Sequence, residues 1–231
     1  DGKEGWDVIK AEVDVCADGD TIVVDMNGSS VVPGDIFDEI RGKDITIEFD
    51  LGNGISWRVN GKSVQKDKVG DIDFRVTLGE EAADTIPVDI VNALTGERYS
   101  MNLTLAYEGE FGFEAVLRAN LGAENKGLVA NLFYYDQSAG ALEFISAGDI
   151  DEDGYTDLVF THASDYTIVI DTVSMEEQAT ATDVSSTDMD ADNADTLPAQ
   201  EDGDASETNN RTAFIWLIIF AGIAIAAVSV V

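Results

Sequence analysis

The stretch ITIEFDLGNGISWRVNG at residues 45–61 decides the fold class. Apolar and polar side chains alternate in ITIEFDL and again in ISWRVNG, which is the period of a strand with one buried face. The turn Gly52-Asn53-Gly54 between them offers residues that tolerate positive φ, as a tight hairpin requires. The stretch therefore predicts an antiparallel β-hairpin.

Downstream of this hairpin the two-residue period continues to residue 171, with turn residues every 8–14 positions. That spacing is typical of a β-sandwich or a partly closed barrel. One segment, IPVDIVNALTGE at residues 86–97, has the pattern of a helical turn between strands. The predicted strands are DIDFRVTLG, RYSMNLTLAYEG, FGFEAVLRANLG, LVANLFYYD, ALEFISAGD, DLVFTH and YTIVID.

Upstream of the hairpin the apolar spacing becomes that of helices. Trp6, Ile9, Val13 and Cys16 recur at i, i+3, i+7 and i+10, which is one helical face. After the strand TIVVDM, the segment PGDIFDEIRG at residues 33–42 predicts a short helix, because Pro is favourable in the first turn. Ile36, Phe37 and Ile40 form its predicted apolar face.

These patterns predict an α+β fold. Residues 1–70 form its short helix/strand N-terminal part, and residues 71–171 form an antiparallel β-sandwich-like unit. The composition of the remaining residues predicts a disordered stalk at residues 172–212 and one transmembrane helix at residues 213–231.

Composition excludes several classes of function. The chain has 46 acidic and 13 basic residues in 231, and its formal net charge is −33. A nucleic-acid partner is excluded, because binding phosphates requires clustered Lys and Arg. The single Cys excludes a disulfide scaffold and a multi-thiolate zinc site, and the single His excludes zinc sites with two or three imidazoles.

The last sixty residues divide into two segments of opposite character. Residues 172–212 are rich in Thr, Ser, Ala, Asp and Glu, so they lack the apolar surface that offsets chain entropy and predict a disordered acidic stalk. Residues 213–231 are uncharged; as a helix they would be about 28 Å long, which matches a bilayer core. We therefore expect a single-pass cell-surface protein that contacts the lipid bilayer through residues 213–231, with residues 1–212 outside.

The predicted loop at residues 149–157, DIDEDGYTD, has the spacing of a calcium site when Asp149 is counted as position 1. Carboxylates stand at positions 1, 3, 5 and 9 around a Gly at position 6, and the carbonyl at position 7 adds an oxygen. An EF-hand is excluded because Phe160 occupies its position 12. The loop instead resembles the D-x-D-x-D-G-x-x-D loops of integrin-type repeats, which implies calcium as a cofactor; the alternative is an acidic hairpin turn. The metal ligands expected are Asp149, Asp151, Asp153, Tyr155 and Asp157.

Two further groups of residues suggest other functions. His162, Ser164 and Asp165 suggest a hydrolase, but such close neighbours on one strand cannot form a catalytic relay, so no enzymatic activity is expected. Exposed aromatic rings could form a platform for a glycan, although alternate members of each run must face the core. The rings concerned are Trp57, Phe111, Phe113, Phe133, Tyr134 and Tyr135.

The run LFYYDQSAGALEF and the later FTHASDYTIV, within residues 132–171, resemble a C-terminal extracellular module of Gram-positive (Firmicutes-type) cell-surface proteins. That module ends in an F-T-H-x-S-x-Y-x-I-V strand, followed by a stalk and an anchor. Relatives with a covalent wall anchor carry L-P-x-T-G, where this chain has LPAQE at residues 197–201. The departure favours the apolar helix itself as the anchor.

The resemblance implies a non-catalytic, extracellular, membrane-proximal module that acts as a spacer, presents other domains or serves adhesion. Its partner would be an extracellular protein or glycan. The alternative is a calcium-dependent carbohydrate- or protein-binding module, and a hydrolase is the remote alternative.

Overall fold

The computed structural model describes residues 2–79, 82 and 85–176. The predicted transmembrane helix at 213–231, and all of the predicted stalk beyond residue 176, lie outside the described residues. Within the described residues, none of the helices combines the length and the apolar character that crossing a bilayer requires.

The structure is mixed α+β and mostly strand, as the sequence predicts. Three α-helices lie among the described residues: α1 (Gly2–Val13), α2 (Gly34–Ile40) and α3 (Val88–Thr95). The strands are β1 (Thr21–Asp25), β2 (Val31–Val32), β3 (Thr46–Gly52), β4 (Ile55–Asn60), β5 (Ile72–Asp73), β6 (Val76–Leu78), β7 (Ser100–Asn120), β8 (Val129–Asp136), β9 (Ala141–Asp149) and β10 (Tyr155–Asp171).

Eight strands form one sheet in the order β1-β3-β4-β7-β10-β8-β9, and β6 pairs with β7 beside this path. The predicted hairpin at residues 45–61 is confirmed as the antiparallel pair β3–β4. β1 pairs with β3 in parallel across α2, so this part of the chain is a βαβ crossover. β2 and β5 form a separate two-stranded sheet.

Helices α1 and α2 pack against the core beside the N-terminal strands, whereas α3 contacts β9. Ile36, Phe37 and Ile40 are buried, so the predicted apolar face of α2 is confirmed. Trp6 and Ile9 of α1 pack against the same core. That core extends from Val13 to Ile170 and draws on residues before and after residue 70, where the sequence analysis placed a boundary. The two predicted parts therefore share one apolar interior.

The two longest strands, β7 and β10, are each continuous where the sequence predicts two strands joined by a turn. β7 is continuous through 21 residues, although Gly109 (φ 96°) and Gly112 (φ 83°) have positive φ within it. Opposite these bends, the register between β7 and β10 shifts between Phe160 and His162 and again between Ala163 and Asp165. A positive-φ glycine can form a bulge in one strand while the partner strand continues. The glycines that predicted turns therefore form bulges in β7, and its pairing with β10 continues past them.

Aromatic rings fill the centre of the core. Trp57 is fully buried, and its ring centroid lies 5.2 Å from those of both Phe74 and Phe160. Its indole N–H donates to the Phe74 carbonyl oxygen at 2.9 Å. The glycan platform proposed from the sequence is wrong for four of its six rings: the main core buries Trp57, Phe111 and Phe113, and a smaller apolar cluster buries Phe133.

Candidate functional site at the turn between β9 and β10

The predicted cation loop is the turn that joins β9 to β10. Gly154, at its sixth position, has φ 88°, and its backbone is buried against the turn at Gly122 and Ala123. A Cβ at residue 154 would lie 2.4 Å from the carbonyl carbon of Gly122 and 2.5 Å from the Ala123 nitrogen. Only glycine meets both demands, since other residues disfavour this φ and no space exists for a side chain.

Asp151 organises the turn through its carboxylate. Its Oδ1 accepts hydrogen bonds from the backbone N–H groups of Tyr155 at 2.8 Å and Asp153 at 3.0 Å. Its Oδ2 accepts a hydrogen bond from Arg118 Nη2 at 2.8 Å. The bond from the Tyr155 N–H contributes most to lowering the pKa of this carboxyl below its usual value, and Arg118 and the Asp153 N–H act in the same direction.

Two arginines on neighbouring strands compensate the charge of the turn. Arg118 on β7 reaches Asp157 through Nη1 at 3.4 Å as well as Asp151, and its guanidinium lies 4.7 Å above the Tyr155 ring centroid. Arg58 on β4 contacts the other oxygen of Asp157 at 2.5 Å. These side chains are between 31% and 42% exposed, so each pair alone is weak, but the shared partners join them into one network.

The five predicted metal ligands therefore have different surroundings. The carboxylates of Asp151 and Asp157 lie against arginines, and the Tyr155 carbonyl accepts the Asp151 N–H at 2.8 Å. Asp149 is exposed at the end of β9, and the Asp153 carbonyl accepts from Asn120 Nδ2 at 3.2 Å. In the part of the chain that the structure describes, no three His, Cys, Asp or Glu side chains converge to hold a metal ion.

Neither arginine is predictable as part of the site from the sequence. The only signal for them was their position in the alternation: Arg58 and Arg118 fall between residues that point into the core. Because the order of strands in the sheet was unknown, their approach to a loop some 30 to 90 residues away could not be derived.

A cleft of about 330 Å³ lies beside the arginine network, over the tip of the β3–β4 hairpin. Glu48 and Asp50 line one side of it, and Arg118 and Tyr155 line the other. Glu48 Oε1 also accepts a hydrogen bond from the Ser56 hydroxyl at 2.8 Å. This arrangement offers acceptors, one guanidinium and an aromatic edge, which suits a polar ligand rather than an apolar one.

The residues weighed for a hydrolase lie on a different part of β10. The His162 ring packs edge-on against Tyr134, with centroids 5.0 Å apart, and Nδ1 lies 3.4 Å from the Thr161 hydroxyl. The His162 carbonyl accepts a hydrogen bond from the Tyr166 hydroxyl at 2.6 Å. Burial raises the pKa of the Tyr166 phenol. His162 therefore belongs to an aromatic cluster that stabilises the bend in β10.

Comparison of the chain with protein-family models, with curated proteins and with solved structures finds no match in any of the three. Functional inference therefore rests on this chain's own residues.

Proposed function

We propose that the chain is a non-catalytic, membrane-proximal module of a cell-surface protein, which presents other domains or serves adhesion. The observation that carries this proposal is the order of three segments: a folded β-rich body that includes residues 172–176, the acidic remainder of the predicted stalk at residues 177–212, and an uncharged apolar segment at residues 213–231. The proposal includes a sandwich-like packing of the bent sheet, a disordered stalk and a single helix across the bilayer, with residues 1–212 outside.

The described body supports a role as a spacer. Its last strand, β10, lies inside the sheet, between β7 on one side and β8 on the other. The strand that precedes the exit of the chain is therefore hydrogen-bonded on both sides and is not an edge strand. Such an attachment suits a module that connects an anchor to domains farther out.

Cell fractionation tests the proposal directly. The full chain, exported from a Gram-positive host, is expected to sediment with membranes and to be degraded by protease added outside intact cells. Deletion of residues 213–231 is expected to release it into the soluble fraction. A deletion of equal length, residues 177–195, removes acidic chain and only two apolar residues larger than alanine, Val184 and Met189, and this variant should stay with the membranes. Recovery of the full chain in the soluble fraction would refute the proposal.

A calcium-dependent carbohydrate- or protein-binding module is the second candidate, because the loop at residues 149–157 has the spacing of a hard-cation site. A calcium ion there would compete with Arg118 and Arg58 for Asp151 and Asp157. Removal of Arg118 should therefore strengthen calcium binding if the loop is a cation site. The same substitution should only loosen the turn if the loop is structural.

Thermal melting of the full chain in calcium and in excess chelator distinguishes these cases. Calcium at 100 times its Kd would stabilise the protein by about 2.7 kcal/mol. Under the calcium hypothesis this gain is lost in Asp151→Ala and Asp157→Ala, and it appears at lower calcium concentration in Arg118→Ala. The control is Asp67→Ala, which removes an exposed carboxylate outside the turn. Identical melting curves in calcium and chelator would eliminate this second candidate.

A further inference from the structure

The chain does not leave the body at the end of β10. Five further residues, 172–176, fold back over β8, where the fully buried side chain of Asn131 holds them. Asn131 Oδ1 accepts the Met175 N–H at 2.7 Å, and its Nδ2 donates to the carbonyl oxygens of Val173 and Val169, both at 3.3 Å. One amide side chain thus joins the exit segment to β8 and β10. We name residues 172–176 the latch.

The side chain of Met175 anchors the latch in a small apolar cluster of its own. Met175 is 5% exposed and packs with Phe133 and Val169. Leu94 of α3 and two side chains of β9, Leu142 and Phe144, border this cluster. It is separate from the main core, and Met175 is the only member that follows β10. Withdrawal of Met175 would uncover the cluster and leave the main core intact.

Fewer hydrogen bonds and apolar contacts hold the latch than hold β10. Opening the latch breaks the contacts of Asn131 with residues 173 and 175 and withdraws one side chain, Met175, from the small cluster. Displacing β10 breaks two ladders, to β7 and to β8, and exposes the main core. Segments with few buried apolar contacts open locally at a lower free energy than the whole fold. The ion pair between Arg98 and Asp171, at 2.6 Å, marks the inner boundary of the latch.

We propose that the latch opens and closes on its own, while the sheet stays folded, and that tension on the chain beyond Glu176 opens it. Opening exposes an apolar cleft formed by Phe133, Phe144 and Leu142 beside edge strand β9, so a stretched module presents a surface that a relaxed one covers. The source of the tension, an anchored chain beyond residue 176, rests on the proposed function. The independent opening of the latch does not depend on that function.

Amide hydrogen exchange of the full chain tests the independent opening. The amide of residue 175 is expected to be protected, yet to exchange about tenfold or more faster than that of Ile168, which lies inside β10. Met175→Ala removes the buried side chain without altering a strand; it should accelerate exchange at residue 175 by about tenfold or more and leave Ile168 unchanged. Asn131→Ala should have the same effect on residue 175.

Val173→Ala is the matched control. The Val173 side chain is 50% exposed and only its carbonyl contacts Asn131, so exchange at residues 168 and 175 should not change. The idea of a separate latch is overturned if residues 175 and 168 exchange at one common rate, or if residue 175 has no protection.

Single-molecule stretching of the full chain tests the response to tension. Latch opening should appear as a step of up to about 17 Å, the extended length of five residues, before the larger step of sheet unfolding. The small step should vanish in Met175→Ala and persist in Val173→Ala. A single step in the unmodified chain would refute control by tension. If hydrogen exchange and stretching both support the latch but the full chain is not found with membranes, the latch stands, and only membrane anchoring as the source of tension is refuted.

Discussion

Replacement of Trp57 by alanine is expected to lower the free energy of unfolding by about 3–5 kcal/mol, the usual cost of removing a large buried aromatic side chain. Trp57 is 0% exposed and stacks on Phe74, with Phe160 and Phe111 edge-on at centroid distances of 5.2 and 6.1 Å. The substitution also leaves the buried Phe74 carbonyl without its indole donor, which adds to the cost. Trp57 connects the hairpin to both long strands, so we expect its loss to weaken the whole sheet.

Urea denaturation followed by far-ultraviolet circular dichroism measures this effect without depending on tryptophan fluorescence. Trp57→Phe keeps a ring but lacks the N–H donor, so it should cost less than alanine and separate packing from the hydrogen bond. Tyr99→Ala serves as the surface control, because Tyr99 is 60% exposed and its removal should change stability little. A loss below about 1 kcal/mol for Trp57→Ala would contradict the central position given to this residue.

Substitution of Gly154 by alanine is expected to have the second large effect, a loss of roughly 2–6 kcal/mol in the free energy of unfolding. One part of the cost is the left-handed backbone, of order 1–3 kcal/mol for a residue with a side chain. The other part is overpacking, typically about 1–3 kcal/mol, since the new Cβ would lie 2.4 Å from backbone at Gly122. Neither atom in this contact belongs to a flexible side chain, so relief requires movement of the turn itself.

Gly140→Ala separates the two contributions. Gly140 also has positive φ, at 63°, but a Cβ there would meet nothing within 4 Å. It therefore carries the backbone cost without the steric one. Urea unfolding of both variants should show the larger loss for Gly154→Ala, and the difference measures the contact with Gly122. Equal losses would mean that the turn at Gly154 has more room than the structure describes.

The elements that the sequence predicted well are those whose pattern is local. The hairpin at residues 45–61 and the apolar face of α2 depend on alternation and on turn residues within a few positions, and both are confirmed. The α+β class follows from the same signals, because period two and period 3.6 are distinguishable along the chain. Resolving β7 and β10 as continuous strands required knowledge of their partners, since Gly109 and Gly112 have the same local signature in a bend as in a turn.

In the candidate site, too, the local features are predictable from the sequence and the contacts between distant strands are not. The sequence identified the turn and the need for glycine at residue 154, which are properties of a short segment. It did not identify Arg58 and Arg118, because their approach to Asp157 depends on β4, β7 and β10 being successive neighbours in the sheet. Met175 was assigned to the stalk for a related reason: a single methionine in a polar segment carries no periodic signal, and its partners lie on β8 and β10.

The position of β10 also determines when this protein can finish folding during its synthesis. β10 is the last of the described strands to be made, and within the described sheet β7 and β8 are joined only through it. Until residue 171 has left the ribosome, the nascent chain carries two unjoined groups of strands whose inner edges are open to pairing with other chains. The polar, acidic residues 172–212 are then translated before the apolar segment at 213–231, which gives the last strand time to insert between its neighbours.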